Sequence, residues 1–332
     1  MSLIRFTKKG IYCEQGDFYV DPWRPVDKAI ITHAHADHSR AGMNHYLAHT
    51  LSAPVMKHRL GEKINVQTAA YNEVLDMNGV KVSLHPAGHI IGSAQVRIEY
   101  KGEVWVISGD YKLEDDEVST PFETVKCHHF LTESTFGLPV FKWQPQAEVM
   151  SQINAWWKTN AEKGVCSVIC AYALGKAQRI INHVDQEIGP IFTHGAVENT
   201  NEVLREHGCF VAPTRLVSNE YKKEDYKNAL VVATPSSLGT NWLNRFGSHE
   251  TAMASGWMMM RGTRRRRNVD RGFVLSDHAD WDELNTAVKA SEASNIYVTH
   301  GYANVYSKYL SENGWNAQVV ETEFEGDEAN AD

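Results

Sequence analysis

Hydrophobic and polar positions change rhythm once along this chain. Up to about residue 145 the apolar residues fall in short runs broken by turn formers, the spacing of strands. Ile11-Tyr12-Cys13 and Phe18-Tyr19-Val20 flank Glu14-Gln15-Gly16-Asp17 and predict a hairpin over 11–21, closed by Asp21-Pro22. Ala29-Ile30-Ile31 predicts a short buried strand over 28–32, and Met43 to His49 predicts a helix. Asn78-Gly79 and Lys101-Gly102 each separate two strand-like runs and predict tight hairpins. Beyond 145 the period lengthens. Gln146 to Lys163 predicts a long helix, followed by strand Val165 to Ala171, helix Lys176 to Gln186, strand Pro190 to Thr193, helix Val197 to His207 and strand Ala229 to Thr234. Strands alternating with helices predict a parallel α/β unit. From about 271 come strand Gly272 to Leu275, helix Trp281 to Ala290, strand Ile296 to Val298, helix Tyr302 to Ser311 and strand Ala317 to Val320.

The predicted strands of the first region and of the C-terminal region end on polar side chains. The strand at 28–32 runs into Thr32-His33-Ala34-His35-Ala36-Asp37-His38. The run around Val82 ends in Pro86-Ala87-Gly88-His89, the run Val104 to Ile107 in Ser108-Gly109-Asp110, His129-Phe130-Leu131 in Thr132-Glu133-Ser134-Thr135, and Ile296 to Val298 in Thr299-His300. Ligand-type groups at strand ends gather on one rim of a sheet. On an extended chain His33 and His35 point the same way, and Asp37 and His38 follow as the chain turns, so they can face a second ion. Imidazole and carboxylate donors suit zinc and its neighbours. The seven groups His33, His35, Asp37, His38, His89, Asp110 and His300 exceed one tetrahedral ion but fit two, with Asp110 as the bridge. Asp21, at a strand end, suits a carboxylate that orients a ligating imidazole. Between strand 165–171 and the next helix, the loop that ends in Lys176 offers a helix N-terminus as an anion seat.

Composition narrows the class. The 332 residues are 42% apolar and 22% charged, as in globular proteins, and suffice for one large or two ordinary domains. The lack of a long apolar run or signal-peptide core, with five thinly spread cysteines, predicts a cytoplasmic protein that does not engage a membrane. Cys166 and Cys170, four apart, read as two small buried side chains. Net charge is −8, yet it is segregated: the tail from Glu321 to Asp332 is acidic and is expected to be disordered, while Arg261-Gly262-Thr263-Arg264-Arg265-Arg266-Arg267 is basic.

The motifs H-A-H-A-D-H, G-H, S-G-D and the early D-P resemble the metallo-β-lactamase fold. L-T-E-S-T-F-G, S-D-H-A-D and V-T-H-G resemble its β-CASP nuclease branch, over about residues 10–320. Phrases such as A-L-G-K-A-Q and A-S-G-W-M look most like bacterial ligase-associated DNA exonucleases. The resemblance implies an αββα sandwich of class α/β with an inserted α/β β-CASP domain: the first part at 1–145, the insert at 146–262, the C-terminal part at 263–320 and the tail at 321–332. It implies two Zn2+ ions, with Mn2+ as a substitute in turnover. His33, His35 and His89 would hold one ion and Asp37, His38 and His300 the other, with Asp110 bridging. Glu133 would orient His278, which would stabilise the scissile phosphate or protonate the leaving oxygen. Catalysis falls to Asp37, Asp110, His278 and Glu133. Lys176 and Arg264, Arg265, Arg266 and Arg267 would track a nucleic-acid backbone. The implied activity is a DNA exonuclease of repair, with an ATP-dependent DNA ligase and a helicase as partners. Artemis-type DNA enzymes carry valine where His300 stands and RNA-processing members carry histidine, so an RNA-processing ribonuclease is the alternative. A small-molecule metallo-hydrolase and a binding-only scaffold complete the readings.

Overall fold

The computed structural model describes residues 3–262 and 269–323. The chain divides into two compact units, one running to Lys142 and resuming at His278, the other running from Trp143 to Asp277.

The first unit begins with β1 (Ile4–Thr7), β2 (Gly10–Cys13), β3 (Phe18–Val20), β4 (Lys28–Ile30), β5 (His45–His49) and β6 (Val66–Ala69), which form one sheet in that order. β7 (Leu75–Met77), β8 (Val80–Pro86), β9 (Ala94–Tyr100), β10 (Glu103–Ile107) and β11 (His129–Glu133) start a second sheet. The turns are as the residues demand. Asn78 and Gly79 have φ of 54° and 81°, and Lys101 and Gly102 have 49° and 85°, the left-handed pairs that match the twist of a two-residue hairpin. One expectation fails: 45–49 is not helical. Tyr46, Leu47, Ala48 and His49 are buried, and β5 pairs parallel with both β4 and β6. A buried slot between two strands overrides local helix propensity.

The second unit holds β12 (Cys166–Cys170), β13 (Ile191–Thr193), β14 (Arg215–Leu216), β15 (Leu230–Ala233), β16 (His249–Ala254) and β17 (Arg271–Phe273). Every pairing in this sheet is parallel, in the order β14-β13-β15-β12-β16-β17. Helix Gln146–Glu162 leads into β12, and helices Lys176–His183 and Gly195–Glu206 connect β12 to β13 and β13 to β14. The unit extends to Asp277 rather than stopping at 262, because β17 pairs with β16 and belongs to this sheet.

The chain then completes the first unit with helix Trp281–Ala290, β18 (Asn295–Thr299), helix Ala303–Glu312 and β19 (Asn316–Val319). The second sheet is ordered β19-β18-β11-β10-β9-β8-β7. One face packs on the first sheet through Ile11, Phe18, Ile30, Leu47, Val82, Val96, Ile98 and Trp105. The other packs on the two C-terminal helices through Val106, Phe130, Leu284, Val288, Ile296 and Leu310. Helix α1 (Ser52–Leu60) packs beside β5 of the first sheet. Where disorder was expected from 321, residues 321–323 are tied down: Thr299 and Thr322 hydroxyls meet at 2.8 Å, and Arg24 and Arg40 both bond Glu323.

Candidate metal centre

The site lies within the first unit and follows from strand direction. β10, β11 and β18 are mutually parallel, and β8 runs the same way because β9 is antiparallel to both β8 and β10. Their C-terminal ends therefore share one edge, which delivers His89, Asp110, Glu133 and His300. The histidine block joins them because β4 of the other sheet ends there too, where Ala94 N donates to Thr32 O at 2.8 Å. Two glycines permit the approach. A Cβ on Gly88 (φ 72°) would lie 2.1 Å from Lys112 O, and one on Gly109 (φ 58°) would lie 2.7 Å from the Thr32 side chain.

Three groups of donor atoms converge: His33, His35, His89 and Asp110; Asp37, His38 and His300; and Asp110, Glu133 and His278, each within 4.8 Å internally. Asp110 is common to the first and third. Its Oδ2 lies 3.5 Å from His33 Nε2, 3.5 Å from His38 Nε2 and 3.8 Å from His89 Nε2, so it sits between the first two groups. His38 Nε2 is 3.7 Å from Asp37 Oδ2, its ring stacks on His300 with centroids 5.3 Å apart, and His89 Nε2 and His35 Nδ1 face each other at 3.1 Å.

Outer hydrogen bonds fix which imidazole nitrogen faces inward. Asp21, buried and at φ 41°, accepts from Thr32 N at 2.8 Å, from Thr32 Oγ1 at 2.6 Å and from His38 Nδ1 at 2.7 Å. The Thr32 hydroxyl spends its only proton on Asp21, so His33 Nδ1, 3.0 Å away, must donate to it. His33 and His38 thus both carry their proton on Nδ1 and present the Nε2 lone pair to the site, the tautomer a ligating histidine needs. His278 is set the same way, with Nδ1 2.9 Å from Glu133 Oε2 while Tyr111 N donates to Oε1 at 2.8 Å.

The residues fit a divalent cation. His33 Nε2 and Asp110 Oδ1 are buried without a hydrogen-bond partner among the described residues, a costly arrangement unless an ion takes those lone pairs. Electrostatics agree. Burial, and then the neighbouring imidazoles, hold His33 well below the usual imidazole range, so it is neutral. Burial works against charge on His38, but Asp110, Asp37 and Asp21 outweigh it and push it up to about 10. Burial, helped by Glu133 and Asp37, lifts Asp110 to about 7, with His38 and His278 opposing. Protons here are held where a cation would displace them.

Other expected residues lie elsewhere. Lys176 is no open anion seat. It is buried in the second unit with its Nζ 3.0 Å from Asp277 Oδ2, and Arg179 clamps the other oxygen at 2.7 Å. A buried ammonium needs such a counter-charge. Arg264, Arg265, Arg266 and Arg267 lie outside the described residues. Thr32, the relay from Asp21 to His33, went unassigned in the sequence; its signal was a hydroxyl directly before the first histidine. Arg59 and Arg40 carried no signal, yet Arg59 bonds Ala34 O and Arg40 Nε bonds Asp37 O at 3.1 Å.

Fold and site define a mixed α/β protein with a buried histidine–carboxylate centre of metal-binding type. The chain is homologous over 94% of its length, at 30% identity, to a probable DNA ligase of Opitutus terrae, and spans 30% of that protein. It is 29% identical over 36% of its length to endoribonuclease YSH1 of Eremothecium gossypii, and 28% identical over the same share to cleavage and polyadenylation specificity factor subunit 3 of Dictyostelium discoideum, covering 16% of each. It therefore spans less than a third of these relatives. No family model matches. A crystal structure of a protein of unknown function from Enterococcus faecalis V583 shares the fold, with a TM-score of 0.60 at 12% identity over 89% of this chain and 79% of that one. No helix among the described residues is long and apolar enough to cross a membrane.

Proposed function

We propose that this chain is a metallo-β-lactamase-fold phosphodiesterase of the β-CASP branch that cleaves DNA as an exonuclease in repair. The observation that carries the reading is the meeting of three donor groups around Asp110, with His278 and Glu133 as the third. In this reading His33, His35 and His89 would hold one zinc ion and Asp37, His38 and His300 a second, with Asp110 as the carboxylate available to both. Such ions, when bound, supply Lewis acidity towards a phosphate and make a water more acidic. The chain's own groups do the rest. Asp21 and Thr32 hold His33 and His38 in the ligating tautomer. Glu133 fixes the His278 ring through Nδ1, so Nε2 is the atom that carries a proton to the departing oxygen as the P–O bond breaks.

The second unit is read as the inserted β-CASP domain. DNA is favoured by similarity along 94% of the chain to a protein named as a probable DNA ligase, which also supports a ligase as partner; a helicase partner rests on the motif resemblance alone. Five unpaired cysteines suit a cytoplasmic setting. RNA processing is the second reading, favoured by His300 beside Asp37 and His38 and by the local similarity to endoribonucleases. Matched single-stranded DNA and RNA, labelled at either end and incubated with zinc or manganese, separate the two. DNA shortened from one end with RNA spared is the expected result; RNA cut with DNA spared moves the chain to the second reading.

A further inference from the structure

Helix α1 ends in Lys57, His58 and Arg59. Cations in a last helical turn usually serve the helix's own carbonyls, but Arg59 does not. Its guanidinium reaches across to Ala34 O, the carbonyl between His33 and His35. Among the described residues that is its one hydrogen bond; it makes no close ion pair, and Asp37 is the carboxylate that acts on its charge. The residue is exposed, and so is the nearby rim of the site: Ala36 is exposed and His35 and Asp37 are partly so. A guanidinium has five donors. One is spent on the ligand loop and fixes the group's direction, which leaves donors for a further partner beside the ring of donor atoms. Arginine held this way is preorganised for a phosphate, which it can grip with two parallel hydrogen bonds.

We propose that Arg59 binds a backbone phosphate of the nucleic-acid strand next to the one being cleaved, aimed from α1 by the Ala34 carbonyl. This rests on the nuclease reading and adds to it a phosphate subsite on the first unit. It also supplies local positive charge on a chain whose net charge is −8, where attraction of a polyanion must come from particular side chains.

Binding is the test. A fluorescein-labelled single-stranded oligonucleotide is titrated by anisotropy at several salt concentrations against the zinc-loaded His278→Ala protein, which spares the probe, and against the same protein carrying Arg59→Gln or Arg59→Lys. Zinc content is measured for each. Arg59→Gln should weaken binding about tenfold, the scale of charge-assisted hydrogen bonds. It should also lower the slope of log Kd against log salt by about 0.7, one phosphate's worth, with zinc retained. Arg59→Lys should recover the slope. Affinity and slope equal to the parent overturn the proposal. So does joint loss of zinc and affinity, which would make Arg59 a positioning residue for the ligand loop. A parent that binds neither DNA nor RNA overturns the nuclease reading itself, and the subsite with it.

Discussion

Asp110 does more at this site than any single histidine, because two of the three donor groups include it and its Oδ2 lies between His33 and His38. Asp110→Ala should therefore lower zinc content as well as cleavage, the latter by more than about a hundredfold. Full zinc and normal turnover would rule out a shared carboxylate. His278→Ala makes the opposite test. Its Nδ1 is committed to Glu133, so the variant should keep both ions and lose about a hundred- to ten-thousand-fold in rate, the range of a general acid. Loss of zinc there would make His278 a ligand. At this scale much was legible. Three histidines and an aspartate within six residues can be recognised without a structure, and His89, Asp110, Glu133 and His300 each close a strand-like run. The fate of Lys176 was not legible. A lysine at a loop–helix junction reads the same whether it meets a ligand or a buried aspartate, and Asp277 lies far away in sequence.

Elements were legible where turn chemistry is local and illegible where burial decides. The hairpins at Asn78-Gly79 and Lys101-Gly102 need left-handed backbone at both positions, so the dipeptides alone announced them. By contrast, β5 and β16 carry alanine and methionine among their buried residues, and only neighbouring parallel strands make them extended. Two glycines show how an element's end becomes part of the site. Gly102 has φ 85° and open space where a Cβ would go. Gly102→Ala should cost only conformational strain, about 1 kcal/mol, and leave zinc untouched. Gly109 has φ 58°, but its Cβ would press on Thr32, which bonds both Asp21 and His33. Gly109→Ala should cost more and also weaken zinc binding by displacing that relay. Thermal melts with zinc analysis check the pair, and equal effects on zinc would break the link between turn and site.

Across the whole molecule, acid should act on the two units by different routes. In the first, acid that protonates the ligating imidazoles competes with the ion for their lone pairs, so zinc should be lost as pH falls. The second unit answers to carboxylates. Burial opposes ionisation of Asp277, but Lys176 and Arg179 outweigh it and hold the group below the usual carboxylate range. Burial likewise opposes ionisation of Glu198, and bonds from Thr193, Thr214 and Arg205 bring it down. A carboxylate lowered in the folded state stabilises above its unfolded value, 3.8 for the aspartate. That contribution disappears as pH falls through the depressed folded value. Asp277→Asn leaves Lys176 and Arg179 buried without their counter-charge, which at neutral pH should cost about 3–5 kcal/mol. In urea melts the gap between wild type and variant should narrow as pH falls below the unfolded value and through the depressed folded one, as the wild-type carboxylate is neutralised too. A gap that stays constant with pH would mean that Asp277 acts by shape and hydrogen bonding, with its charge contributing nothing. Zinc release ahead of unfolding, with unfolding only below the carboxylate range, would separate a centre held by imidazoles from a unit held by a buried ion pair.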